Sequence, residues 1–132
     1  MIKIDELLKL IETEGIDIVK NYVKNEYVPL EMKQTVAGSI VRSCHFSEDT
    51  FHINSVAMYM LTNMGILDLY TDIERGDNVL EDFNKLNKIG IFDEIKFNIS
   101  SKELDEFYLI LDAEKKDIIT NEYEIGGYLR KQ

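Results

Sequence analysis

Apolar residues recur three and four positions apart along most of this chain, with polar residues between them. This spacing is typical of helices that bury one face and expose the other. Gly15 is placed to end the first helix, and Pro29 suits the first turn of the third. The pattern predicts helices over residues 3–15, 16–27, 29–44, 55–73, 78–90 and 100–119.

The apolar rows also predict which side chains face inward in two of these helices. Those residues are Leu30, Val36, Ile40 and Val41 in the third helix, and Val79, Leu80, Phe83 and Leu86 in the fifth. The cap of the fifth helix is Asp77 or Asn78, because the preceding segment has the composition of a turn.

The stretch from His52 to Glu74 is the most apolar part of the chain, and lipid, the rest of the protein or a partner could cover it. A membrane span wants about 20 mostly apolar residues, whereas Asn54, Thr62 and Asp68 interrupt this one. Asn54 or Ser55 can cap a helix there. We therefore expect no membrane association, but a buried central helix. Its inward row includes Val56, Tyr59, Met60, Met64, Leu67 and Tyr70, with Met60, Leu61, Met64 and Leu67 almost fully buried.

Three segments are less regular. Residues 44–53 break the helical period and could form a small hairpin or a loop. Residues 91–99 fit either a strand or a short helix. Ser100 and Glu103 have the spacing of a capping box at the start of the last helix. Together the patterns predict an all-α fold: one domain over residues 1–132, a compact bundle of six or seven helices around a central helix at about 55–73.

Length, cysteine content and charge narrow the class of protein. A chain of 132 residues fits one domain, and a single cysteine, Cys44, permits no internal disulfide. The amphipathic, acidic start does not resemble a signal peptide, so a cytoplasmic location is expected. The formal charge of −10 disfavours direct binding to nucleic acid and favours, at most, a basic protein partner.

No pattern of catalytic or ligand-binding residues stands out. Cys44, His45 and His52 lack the fourth ligand of a structural zinc site, and a neighbouring cysteine and histidine rarely form a nucleophile pair. The acidic segment from Asp72 fails the calcium-loop pattern at three positions, and no glycine-rich phosphate loop is present. We therefore expect a non-enzymatic protein with no metal and no cofactor.

The negative charge is unevenly distributed. Residues 1–66 carry 6 basic and 9 acidic side chains, a net charge of −3, whereas residues 67–132 carry 9 and 16, a net charge of −7. Such a run is usually a solvated face, but a turn can also aim several carboxylates at one partner. The candidate partner-binding residues are Asp72, Glu74, Asp77, Glu81 and Asp82, followed by the apolar tail residues Tyr123, Ile125, Tyr128 and Leu129.

Residues 25–95 resemble a set of small, mostly uncharacterised proteins from phages and prophages of low-GC Gram-positive bacteria. The shared order is a Tyr-Val-Pro start, a following lysine, an Ile-Asn-Ser helix start, a Tyr-Thr-Asp-Ile end and a Phe-Asn-x-Leu-Asn helix. The matching residues are Tyr27, Val28, Pro29, Lys33, Ile53, Asn54, Ser55, Tyr70, Thr71, Asp72, Ile73, Phe83, Asn84, Leu86 and Asn87. The resemblance implies a phage setting and no known activity, and family members often continue with a longer helical C-terminus.

Two functions fit these observations. The first is a virion structural or assembly subunit of connector, collar or tail-assembly type, which binds another phage subunit and could also form a homo-oligomer. The second is an acidic anti-defence or host-takeover inhibitor that binds a bacterial nucleic-acid-handling protein. Either protein would be found in the host cytoplasm, and the first also in the virion.

Overall fold

The chain begins with a short strand, an α-helix and a 3₁₀ helix. In this computed structural model the backbone is described for residues 1–47 and 50–131, and the side chains for residues 1–44 and 54–117. Strand β1 (Ile2–Lys3) leads into helix α1 (Ile4–Glu14), and a 3₁₀ helix (Ile16–Tyr22) follows. Gly15 separates the two with a φ of 91°, a left-handed conformation that glycine adopts most easily.

The central elements follow Pro29. Helix α2 (Leu30–Ser43) is joined to helix α3 (Ser55–Tyr70) by strands β2 (His45–Ser47) and β3 (Thr50–Ile53). The two strands pair antiparallel, so the hairpin considered for residues 44–53 is present. The Asn54 side chain caps α3 by accepting hydrogen bonds from the N–H groups of Val56 and Ala57.

The remaining elements close the fold. Strand β4 (Ile73–Glu74) pairs parallel with β1 and so fixes the N-terminus beside the end of α3. Helices α4 (Val79–Lys88), α5 (Ile91–Phe97) and α6 (Ser101–Lys131) follow. The cap of α4 is Asn78, and residues 91–97 are helical rather than extended. The predicted all-α class is confirmed.

Helices α2, α3 and α6 meet in one part of the core, to which α1, α4 and α5 also contribute buried side chains. Gly65 permits the close crossing of α2 and α3, because a Cβ atom there would stand 2.9 Å from the Ile40 side chain and 3.1 Å from that of Val36. Phe107 of α6 is fully buried at the same place. Among the described residues, no helix combines the length and apolarity that crossing a bilayer requires.

Several predicted inward positions are wrong. Leu30 is 53% exposed and Leu80 is 58% exposed, because each lies in the first turn of its helix, where fewer neighbours reach it. The prediction of a fully buried α3 is also wrong in part. Met64 and Leu67 are buried, but Met60 and Leu61 are half-buried, and Val56 and Tyr59 are exposed.

Candidate partner-binding surface

The first half of α3 presents an apolar surface to solvent. All six residues from Val56 to Leu61 are apolar, yet none of them is fully buried. Val56 is 77% exposed and Tyr59 is 56% exposed. A helix that is apolar on all sides is normally surrounded by other elements, and this half is not.

Helix α4 extends this surface. Tyr59 meets Phe83 edge to face, with ring centroids 5.8 Å apart, and exposed Leu80 lies one helical turn before Phe83. We call the surface formed by Val56, Tyr59 and Leu80 the open apolar face. The sequence pattern marked all three residues as apolar, but it placed them in the core.

The five acidic candidates do not form one uniform surface. Asp82 is only 7% exposed, and its carboxylate accepts a hydrogen bond of 2.8 Å from the Gly76 N–H. Little of Asp82 is therefore available to a partner, because its side chain faces inward and holds the turn closed. Asp72 lies 3.6 Å from Lys24, and Glu81 lies 3.4 Å from Lys85. Glu74 and Asp77 are exposed, without an ion pair to any described side chain.

Basic side chains further reduce the field of this turn. Arg75 reaches back to Asp68 with an N–O distance of 3.0 Å, and Lys85 also contacts Asp5 at 3.3 Å. Burial raises the pKa of the Asp68 carboxyl, and the nearby Arg75 opposes that shift only in part. The acidic segment is thus a folded turn with internal ion pairs, from which two carboxylates project freely among the described residues.

The other four candidates are Tyr123, Ile125, Tyr128 and Leu129. Their backbone belongs to α6, but their side chains lie outside the described residues.

A cluster of charged and polar side chains around the buried Lys33 joins α2, α3 and α6. The ammonium group of Lys33 is fully buried, 2.9 Å from Glu103 and 2.8 Å from Glu106. The Tyr70 hydroxyl, also buried, donates a hydrogen bond of 2.6 Å to Glu103. We call Lys33, Tyr70, Glu103 and Glu106 the lysine cluster. Glu103 therefore points into the fold instead of closing a capping box, and the Ser100 N–H donates to Asn25.

The lysine cluster holds its members in defined protonation states. Burial alone would lower the pKa of Lys33, but the hydrogen bonds and charges of Glu106 and Glu103 outweigh it and raise that pKa. Burial would likewise raise the pKa of Glu103, but hydrogen bonds from Tyr70, Lys33 and the Val28 N–H lower it. The pKa of Tyr70 is raised by burial and by Glu103. Lys33 and Glu103 thus stay charged, and Tyr70 stays neutral, near neutral pH.

The sequence patterns did not predict the lysine cluster. One signal was present: Lys33 lies four residues before Ala37 and eight before Val41, so it occupies the buried stripe of α2. A charge on such a stripe needs a partner in the fold. The Tyr27 ring lies 4.7 Å from the Lys33 ammonium group and covers it from outside. Tyr27 and Val28 therefore both contact the lysine cluster from the segment that precedes α2.

The described residues show no metal-binding cluster and no activated thiol. Among the described side chains, no three His, Cys, Asp or Glu residues converge as a metal site would require. Burial raises the pKa of the Cys44 thiol, which disfavours the reactive thiolate.

No protein-family model, curated protein or solved structure matches this chain.

Proposed function

We propose that this chain is a non-enzymatic protein-binding subunit of a phage, of the connector, collar or tail-assembly type. It would act in the host cytoplasm during assembly and then remain in the virion. The observation that carries the proposal is the open apolar face, whose residues Val56, Tyr59 and Leu80 are each more than half exposed. The phage setting rests on the resemblance of residues 25–95.

The physical argument concerns the cost of exposed apolar surface. Isolated exposed apolar residues are common, but a contiguous group on neighbouring helices is typical of a protein–protein interface. Tyrosine is also enriched in interfaces, because its ring supplies a large contact area and its hydroxyl tolerates water. The open apolar face has this composition, and burying it against another subunit would remove it from water.

The lysine cluster supports a structural role rather than a catalytic one. Lys33 and Tyr70 are fully buried and already bonded to carboxylates within the chain. A general acid or base must reach a substrate proton, directly or through one water. Groups that are enclosed and occupied in this way are suited to holding helices together.

The ion pairs of the acidic turn favour assembly over nucleic-acid mimicry. An acidic inhibitor that occupies a nucleic-acid groove would need a series of free carboxylates. Here Asp72 and Glu81 have basic neighbours, and Asp82 is buried. Neutralisation within the turn reduces the potential that a basic groove would meet.

The test is quantitative mass spectrometry of purified virions of the phage that encodes the chain. We expect the wild-type chain at a fixed stoichiometry to the capsid protein, and we expect Val56→Ser/Tyr59→Ser to lower its incorporation at equal expression. The matched control is Phe97→Ser/Leu109→Ser, which removes two exposed apolar side chains from α5 and α6. Absence of the wild-type chain from virions would reject the assembly role, and equal incorporation of all variants would reject the face.

A further inference from the structure

Aromatic side chains of the core support the open apolar face. Tyr59 packs edge to face on Phe83, with an interplanar angle of 84°, and Phe83 stacks on Phe92 at a centroid distance of 5.4 Å. Phe83 and Phe92 are buried, so this row of three rings runs from the surface into the core. A fixed aromatic ring loses little conformational entropy when it binds, which is a property of interface hot spots. Tyr59 therefore resembles an anchor that is already in its binding position.

The charge around this face is one-sided. Residues 50–67 contain no Asp, Glu, Lys or Arg, so the α3 side of the face carries no charged side chain of its own. On the α4 side, Leu80 is flanked along the chain by Asp77 and Glu81, both exposed. Glu81 contacts Lys85 at 3.4 Å, but Lys85 also contacts Asp5, so these three side chains keep a net negative charge. A partner docked on the face thus meets apolar surface at its centre and carboxylates at one rim.

This arrangement disfavours a second copy of the chain as the occupant. A dimer through this face would include two such acidic rims in one interface, in a protein whose formal charge is already −10. Like charges that face each other across an interface cost free energy and slow association. A partner with basic residues beside its apolar surface would instead neutralise the rim.

We propose that the open apolar face binds an amphipathic helix of another protein, whose apolar stripe is flanked by lysine or arginine. The stripe covers Val56, Tyr59 and Leu80, and the basic flank meets Asp77 and Glu81. Helices that dock on apolar surfaces in this way use anchors at spacings of three and four residues. The inference rests on the proposed function, since it names the partner chemistry of the same surface.

The test uses the full chain and two labelled synthetic peptides, each about 18 residues, or about 27 Å, long as a helix. Both peptides carry one leucine stripe; lysines flank it in the first and glutamates in the second. Fluorescence anisotropy should give a dissociation constant at least about tenfold lower for the lysine peptide at low salt. That ratio should shrink as salt rises from about 50 mM to about 300 mM, because exposed charges are screened.

Two variants separate the apolar and the charged contributions. Val56→Ser/Tyr59→Ser should weaken binding of the lysine peptide by about tenfold or more, whereas Phe97→Ser/Leu109→Ser should not. Asp77→Asn/Glu81→Gln keeps the size of the rim residues, and it should bring the two peptides toward equal affinity. Circular dichroism melting shows that each variant is folded before its affinity is compared.

Four results would overturn the inference: binding of neither peptide, equal binding of both, an unchanged preference in the Asp77→Asn/Glu81→Gln protein, or a dimer in solution that Val56→Ser/Tyr59→Ser dissociates. The two proposals can fail separately. A chain present in virions but indifferent to peptide charge loses only the basic partner. A chain absent from virions that still prefers the lysine peptide loses only the assembly role.

Discussion

The two halves of α3 have similar composition and different surroundings. Residues 56–61 and residues 64–70 are both mostly apolar, and sequence periodicity treats them as one buried helix. In the structure Met64, Leu67 and Tyr70 are at most 1% exposed, whereas Val56 and Tyr59 are mostly exposed. The difference shows that an apolar pattern reports the capacity for burial, and that neighbouring elements decide where burial occurs.

The neighbours of the two halves explain the contrast. Around the second half, α2 approaches closely at Gly65, and α6 contributes Phe107. Strand β4 follows α3 in the chain and pairs with β1. Tyr70, the last residue of α3, is also bonded into the lysine cluster. The first half has the aromatic contact from Tyr59 to α4, which covers only one side. Variants in and around the two halves should therefore differ widely in cost.

The largest loss of stability is expected in the lysine cluster, which is bonded to the buried second half of α3. Lys33→Met removes the one cation of the lysine cluster and leaves Glu103 and Glu106 without it. Breaking a buried ion pair on one side costs about 3–5 kcal/mol of unfolding free energy. Urea denaturation at neutral pH measures the loss.

The matched control for Lys33→Met is Lys24→Met. Lys24 pairs with Asp72 at 3.6 Å, and both side chains are about half exposed. An exposed pair contributes about 0–1 kcal/mol, so this variant should be nearly as stable as the wild type. Equal losses for the two lysine variants would show that the lysine cluster is not the anchor of the fold.

The next largest loss of stability is expected from a Leu→Ala substitution, which can be made in each half of α3. Leu67→Ala empties a fully buried site and should cost about 2–5 kcal/mol, since the surrounding core relaxes only in part. Leu61→Ala, on the half-buried side of the same helix, should cost clearly less. Both are read from the midpoint of urea unfolding at unchanged slope. Equal destabilisation would mean that the first half is as well packed as the second, which removes the contrast.

Much of the secondary structure was predictable, because the signals for it are local. The helical period, the stop at Gly15, and the caps at Asn54 and Asn78 all depend on residues within a few positions of one another. The ambiguous segment 91–97 became a helix because Ile91, Phe92 and Ile95 all face the core. Such signals predict where helices begin and end, but they do not predict which other helices pack against them.

The parts that could not be predicted depend on residues far apart in sequence. Glu103 follows Ser100 with the spacing of a cap, but its partners Lys33 and Tyr70 lie 70 and 33 residues away. Asp82 looks like one more acidic residue until its hydrogen bond to Gly76 is seen. Likewise, the exposure of Val56 and Tyr59 reflects how far the other helices extend along α3, which no local pattern contains.

A smaller effect should follow loss of one hydrogen bond at the buried end of α3. Tyr70→Phe removes one of the three donors to Glu103, and leaves Lys33 and the Val28 N–H in place. Hydrogen bonds to charged groups contribute about 1.5–3 kcal/mol. Urea unfolding at neutral pH measures this cost, with Tyr108→Phe on α6 as a control at a partly exposed tyrosine.

The Tyr70→Phe variant also makes a prediction about alkaline pH. The pKa of Tyr70 is raised in the folded chain, whereas an ordinary tyrosine ionises near 10.0. Above that pH the unfolded chain releases a proton that the folded chain retains, so wild-type stability should fall as pH rises. Lys33 contributes a loss of the same sign above its ordinary value of 10.5. Tyr70→Phe should make the decline shallower, and an unchanged decline would show that Tyr70 is not held neutral.

The smallest losses of stability are expected from substitutions in the exposed first half of α3. Val56→Ser removes a side chain that is 77% exposed and should change unfolding free energy by no more than about 0.5 kcal/mol. Tyr59→Ser also loses the edge contact with Phe83, so about 0.5–1.5 kcal/mol is expected. Thermal and urea unfolding of both single variants measure these values. A loss of 2 kcal/mol or more for Val56→Ser, about the cost of emptying a packed site, would mean that Val56 is covered in the folded chain. The two halves of α3 would then be alike, and the surface proposed to bind a partner would not exist.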